Sequence, residues 1–129
     1  MKGQPLPSQE EMQRTLAADA DTGQTKNIIR ELLDLGTRSF QLGGNGEMFL
    51  HKNVMEFITI VKKSGCHCLA NTNGTLISRE MADELIKLQF DELRITTMAG
   101  TPEDYKRTHP GSASDTFYKL EHVLQYLAE

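Results

Sequence analysis

The sequence contains no tryptophan, only two cysteines and no long apolar run. No stretch approaches the roughly 20 apolar residues that span a bilayer, so we expect no membrane association. The net charge is −4 and no basic cluster exceeds Lys62-Lys63, which disfavours nucleic-acid binding through phosphate contacts. The N-terminal residues also lack the apolar segment of a signal peptide. Together these absences predict a cytoplasmic protein.

The two cysteines, Cys66 and Cys68, lie two positions apart with His67 between them. A disulfide at this spacing in a strand would be strained, and reduced thiols are typical of a reducing compartment. A metal site is the alternative, but a Cys-x-Cys pair supplies two ligands where a closed zinc site needs four. Buried structural cysteines are therefore the favoured interpretation.

The length of 129 residues predicts one folded unit. We divide it into an N-terminal lead-in and helix, residues 1–25, and an α/β domain, residues 26–129. Ser8, with Glu11 three positions later, predicts the start of a first helix. A second helix is predicted over residues 26–35, ended by Gly36. Its expected buried stripe is Ile28, Ile29, Leu32, Leu33 and Leu35.

Three strand–helix units follow these two helices. The strands are predicted at about 38–42, 66–70 and 92–97. The helices between and after them are predicted to begin near Asn53, Ser78 and Thr101, with a last helix running to the C-terminus. Strands that alternate with helices indicate a parallel sheet, so the fold class is α/β.

The carboxyl ends of parallel strands meet at one edge of a sheet, where α/β proteins bind their ligands. The first strand ends in the glycine-rich stretch 42–47, which carries one acid, Glu47. The second ends in the stretch 71–75, and the third in the stretch 96–100. Such tips suit a ligand with an amine, a carboxylate and hydroxyls. The alternatives are an ordinary glycine-rich turn for the first tip and simple β-propensity for each threonine.

Three motifs in order make the chain resemble the radical S-adenosylmethionine (radical SAM) superfamily over roughly residues 27–127. The stretch 43–51, Gly-Gly-Asn-Gly-Glu-Met-Phe-Leu-His, resembles the family's Gly-Gly-Glu-Pro stretch. Residues 71–76, Asn-Thr-Asn-Gly-Thr-Leu, resemble its Thr-Asn-Gly-Thr strand end. Residues 93–105 resemble the next strand and its Pro-Glu-x-Tyr loop. The implied fold is a partial (β/α) barrel.

The resemblance also implies which residues bind the cofactor S-adenosylmethionine. The turn that meets the amino group of its methionine moiety falls on Asn45, Gly46 and Glu47, and Gly44 beside them is assigned to the same cofactor site. Thr96 stands where several family members contact the ribose. Thr72 and Asn73 lie on the wall of the same cavity. No residue is assigned a catalytic or metal-binding role.

The sequence departs from the family where the iron–sulfur cluster would bind. Members hold a 4Fe-4S cluster with a Cys-x-x-x-Cys-x-x-Cys loop, and the two cysteines here have neither that spacing nor that position. Met48 also replaces the usual proline. Three thiolates are needed to hold such a cluster with one iron open. We therefore expect no cluster in this chain alone, although the parent enzyme would use both the cluster and S-adenosylmethionine.

These observations predict a central fragment of a radical SAM enzyme, an oxidoreductase or transferase, that is inactive by itself. The alternative is a non-catalytic α/β module that binds a nucleoside or mediates assembly. The substrate is not predicted. Missing flanking strands would leave the sheet edges open, and open edges attract other chains, so we also expect a homodimer.

Overall fold

The computed structural model describes residues 21–44 and 46–128, and its centre is a three-stranded parallel sheet. The strands are β1 (Ser39–Leu42), β2 (His67–Thr72) and β3 (Glu92–Ile95), in that order across the sheet. In the register, Leu42 faces Ala70 and Thr72 faces Ile95. The predicted α/β class with three parallel strand–helix units is therefore confirmed. The helix predicted from Ser8 lies outside the described residues.

Five α-helices and one short 3-10 helix surround this sheet in the described part of the chain. They are α1 (Thr22–Asp34), the 3-10 helix (Met48–Leu50), α2 (Val54–Lys63), α3 (Arg79–Lys87), α4 (Pro102–Thr108) and α5 (Thr116–Ala128). Between residues 21 and 128, leaving out 45, no helix is long and apolar enough to cross a membrane.

Helix α1 differs from its prediction at its start and on its buried face. It begins at Thr22, because the Asp21 side chain accepts a hydrogen bond from the Gln24 amide at 2.7 Å and caps the helix there. The expected stripe was wrong for three of its five members, which are exposed to solvent. Their exposed fractions are 56% for Ile28, 38% for Leu32 and 83% for Leu35.

Only the Ile29 side of α1 is covered, because the helix packs mainly on α2. The end of α1 matches the prediction. Gly36 has φ of +90°, its amide donates to Leu33, and the Thr37 amide donates to Leu32, which is a Schellman motif.

Helix α2 is the element that joins the two halves of the core. Its predicted apolar positions are all buried and fall into two pairs, each four residues apart. Phe57 and Val61 pack with α1 and the beginning of β2, whereas Val54 and Ile58 pack with α3. The sheet is thereby covered by helices, and its polar strand ends remain at one edge.

The central strand β2 is buried along most of its length, as expected for a strand between two parallel neighbours. Cys68, Leu69 and Ala70 are consecutive and all buried. The prediction of buried, unpaired cysteines is confirmed, since Cys66 and Cys68 are both free thiols in the core. The third strand ends at Ile95, two residues earlier than predicted.

Candidate functional site

The ends of β1 and β2 are joined by the carboxylate of Glu47. Its Oε1 accepts a hydrogen bond from the Thr72 hydroxyl at 2.6 Å and from the Phe49 amide at 3.1 Å. Its Oε2 accepts from the Asn73 amide at 2.7 Å. Three donors from two segments thus fix one acidic side chain at the polar edge of the sheet.

The same contacts continue into the turn that follows β2. The Gly74 amide donates to the Thr72 hydroxyl oxygen at 2.9 Å, and the Asn73 side-chain oxygen accepts from the Thr75 amide at 2.9 Å. We call the set formed by Glu47, Phe49, Thr72, Asn73 and Gly74 the Glu47 network. It holds the first two predicted strand tips in one arrangement.

The parallel register explains why these residues meet. Leu42 lies beside Ala70 in the sheet, so the turn after β1 reaches the last residues of β2. Glu47 then begins the 3-10 helix as its N-cap residue. A short polar turn between a strand and a helix places the carboxylate, half-buried, beside Thr72.

The predicted site residues differ in how open they are to a ligand. Gly44 and Gly46 are exposed, and a Cβ atom built on either meets nothing within 4 Å. Thr96 is exposed, its amide donates to the Thr72 carbonyl at 3.0 Å, and its hydroxyl makes no hydrogen bond within the described part of the chain. Thr72 is buried, at 6% exposed. Asn45 lies outside the described residues.

The structure therefore brings Glu47, Thr72 and Asn73 into direct contact and links Thr96 to them through the backbone of Thr72. The polar strand tips predicted that these residues share one edge, but the hydrogen bonds among them were not predicted. The signal was the polar residue at each strand tip, yet the pairing partner follows only from the register. Their assignment as cofactor contacts stays a prediction.

The Glu47 carboxylate at this edge can accept a hydrogen bond from the amino group of a ligand. A carboxylate has about four acceptor positions, and the three protein donors occupy three of them, two on Oε1 and one on Oε2. Among the residues that the structure describes, one acceptor position on Glu47 Oε2 and the Thr96 hydroxyl have no hydrogen-bond partner. These groups fit a molecule that carries both an ammonium and a sugar.

The cysteines do not fit an iron–sulfur cluster. Burial, with a smaller contribution from the Asp91 carboxylate, raises the pKa of the Cys68 thiol to about 11, whereas a cluster ligand must be a thiolate. The Cys66 thiol donates to the Thr37 carbonyl at 3.4 Å. Cys68 also precedes Thr72 by four residues along β2, or roughly 13 Å of strand.

Taken alone, the described residues contain no group of three or more histidine, cysteine or acidic side chains that could hold a metal ion. The fold and this edge define a parallel α/β protein with a polar, carboxylate-bearing rim at its strand ends. The family model of the radical SAM superfamily matches residues 9–127. Because this match covers most of the 129 residues, the chain belongs to the radical SAM superfamily.

No curated protein and no solved structure matches the chain. The family match confirms the resemblance drawn from the three motifs and supports the partial barrel. Membership also implies that full-length relatives use S-adenosylmethionine and a 4Fe-4S cluster.

Proposed function

We propose that this chain supplies the S-adenosylmethionine-binding edge of a radical SAM enzyme. The observation that carries the proposal is the Glu47 network, which fixes a carboxylate at the tip of β1 and leaves it one acceptor position that no described residue occupies. S-adenosylmethionine is a cation with an amino group and a ribose. Glu47 would accept from the amino group, and Thr96 would bond a ribose hydroxyl.

The glycines of the first tip support the same assignment. Gly46 has φ of +121°, a conformation that glycine adopts without steric cost. The open space beside Gly44 and Gly46 lets a ligand approach the backbone closely. The cluster chemistry of the family would need cysteines that this sequence does not carry, so the chain alone is proposed to bind without catalysing.

Calorimetric titration of the chain with S-adenosylmethionine tests the proposal. A hydrogen bond to a charged group contributes about 1.5–3 kcal/mol, so Glu47→Ala should weaken binding about 10- to 100-fold. Glu31→Ala is the matched control, because Glu31 is an exposed acid of α1, which packs mainly on α2. Absence of binding by the unaltered chain, or equal binding by the Glu47 variant, would contradict the proposal.

A second candidate is a nucleoside-binding or assembly module that performs no chemistry even in its complete form. The burial and raised pKa of Cys68 agree with it, because a module that performs no chemistry needs no thiolate ligand. Anaerobic reconstitution with iron and sulfide does not separate the candidates. Both candidates expect no visible iron–sulfur absorption from this chain alone. The enzyme candidate further expects a Cys-x-x-x-Cys-x-x-Cys segment in the parent protein, and sequencing the parent gene upstream of Met1 would decide it.

A further inference from the structure

Thr72 is the one buried polar residue among the described positions, and its hydroxyl both donates and accepts a hydrogen bond. It donates to Glu47 Oε1 and accepts from the Gly74 amide. A side chain placed this way does not face solvent at the polar edge. Its polar atom is directed instead at another member of the predicted site.

The direction of the Thr72 hydroxyl proton follows from the position of Gly74. A hydroxyl has one proton, and the Gly74 amide already occupies an acceptor position on Thr72 Oγ1 at 2.9 Å. Gly74 is itself fixed, with φ of +75° and Leu120 Cδ1 only 2.6 Å from where a Cβ would lie. The proton is therefore directed at Glu47, 2.6 Å away.

We propose that Thr72 is a positioning residue, which holds the Glu47 carboxylate in the orientation that leaves Oε2, beside its bond from the Asn73 amide, one acceptor position without a partner among the described residues. A glutamate side chain loses rotamer freedom when it binds a ligand. A carboxylate that is already oriented avoids that cost, so preorganisation strengthens binding. The inference rests on the proposed function for the identity of the ligand, but the orientation of Glu47 belongs to the protein itself.

Amide hydrogen exchange, followed by NMR without ligand, tests the orientation directly. The Phe49 amide donates to Glu47 and makes no contact with the Thr72 hydroxyl. In Thr72→Val this amide should exchange about tenfold faster, as expected for loss of one hydrogen bond to a charged group. Thr72→Ser keeps the hydroxyl and should restore protection. The Leu85 amide, within α3, should be unchanged.

Two further variants keep this test decisive. Thr59→Val is the matched control, because the Thr59 hydroxyl donates to the Met55 carbonyl within α2, and it should leave Phe49 exchange unchanged. If Thr72→Val does not fold, Glu47→Ala probes the same coupling from the other side. The Gly74 amide, which contacts Thr72 and not Glu47, should then exchange faster. Unchanged exchange at Phe49 in folded Thr72→Val, or at Gly74 in Glu47→Ala, would overturn the inference.

Titration with two ligands then connects the orientation to binding. S-adenosylmethionine carries the amino group, whereas 5′-deoxyadenosine lacks the whole methionine moiety. Thr72→Val should weaken the first about tenfold and leave the second unchanged, and Thr72→Ser should bind both like the unaltered chain. Equal weakening of both ligands would contradict a role through Glu47. No binding by the unaltered chain would overturn the proposed function, while the exchange data would still decide the orientation.

Discussion

Replacement of Gly74 by alanine should destabilise the protein far more than the same change at other glycines. A Cβ at Gly74 would lie 2.6 Å from Leu120 Cδ1 and 3.0 Å from Ile95 Cγ2. Leu120 is 1% exposed, so its side chain has little room to move away. The backbone at Gly74 also has φ of +75°, which disfavours any residue with a Cβ.

The magnitude follows from three contributions to the free energy of unfolding. Left-handed backbone in a residue with a Cβ costs about 1–2 kcal/mol, and overpacking a core costs about 1–3 kcal/mol. The lower entropy of an unfolded chain with alanine offsets about 0.4–1 kcal/mol. The net loss for Gly74→Ala is then about 3 kcal/mol, a large part of the 5–15 kcal/mol that stabilises a typical domain.

Urea unfolding, followed by circular dichroism, measures this loss against two internal controls. Gly36 has φ of +90° but open space around it, so Gly36→Ala should lower the free energy of unfolding by about 1 kcal/mol through backbone strain alone. Gly100→Ala has neither a positive φ nor a close neighbour and should change stability by less than about 0.5 kcal/mol. If Gly74→Ala were no less stable than Gly36→Ala, the packing argument at the end of β2 would be refuted.

Three other predictions follow from the contacts at the opposite end of the sheet and from its open edges. The hydrogen bond from Lys62 lowers the pKa of the Asp91 carboxyl. Burial raises this pKa by a smaller amount, and the hydrogen bond from the Cys68 amide lowers it further. The Asp91 carboxylate should therefore stabilise the fold fully above the ordinary pKa of about 3.9, and this stabilisation should disappear as the pH falls below that value. Between pH 6 and pH 3, the urea midpoint of unfolding should fall less in Asp91→Asn than in the unaltered chain. The buried Cys68 thiol, with its pKa raised to about 11, should resist alkylation by iodoacetamide at pH 8 until urea unfolds the chain, and rapid native labelling would contradict its burial. We also propose a homodimer that forms through the edge of β3. This strand pairs only with β2 in the described sheet and borders an apolar hollow lined by Leu85, Phe90 and Leu93. Sedimentation as a monomer at micromolar concentration would count against the dimer.

Much of the fold was predictable because its helices carry a clear 3.6-residue period. The stripe on α2, from Val54 to Val61, is buried as expected. Ser78 caps α3 by accepting from the Met81 amide at 3.2 Å, and Thr101 caps α4 in the same way. Such local signals need no knowledge of the rest of the chain, which is why the order of the strands and α-helices in the described part was predicted correctly.

The buried face of α1 was not predictable from its pattern. An apolar stripe shows which residues favour burial, but the amount of neighbouring structure decides how many are covered. Helix α1 packs mainly on α2, and this contact covers Ile29 while leaving Leu35 exposed. The early end of β3 also depends on a neighbour, because Ile95 pairs with Thr72, the last residue of β2.

The position of the candidate site in the fold was predictable from the sequence, but the hydrogen bonds among its residues were not. The polar strand tips pointed to one edge of the sheet, and the family motifs pointed to the same residues. Whether Glu47 bonds a ligand or the protein depends on the distance between two strand ends, which no single motif contains. The short contact between Glu47 and Thr72 therefore emerges only once β1 and β2 are paired.

The two glycine-bearing tips contribute differently to this site, although both look like ligand-binding turns in the sequence. Gly74 faces the core, where Leu120 leaves no room for a Cβ, so the second tip is shaped by packing. Gly44 and Gly46 face open space, so packing does not explain why the first tip lacks side chains there. The second tip can anchor Glu47 through Thr72 and Asn73, while Gly44 and Gly46 of the first tip leave space beside the carboxylate. This division of roles supports the proposed binding edge, because a carboxylate held on one side by the protein can present an acceptor position on the other.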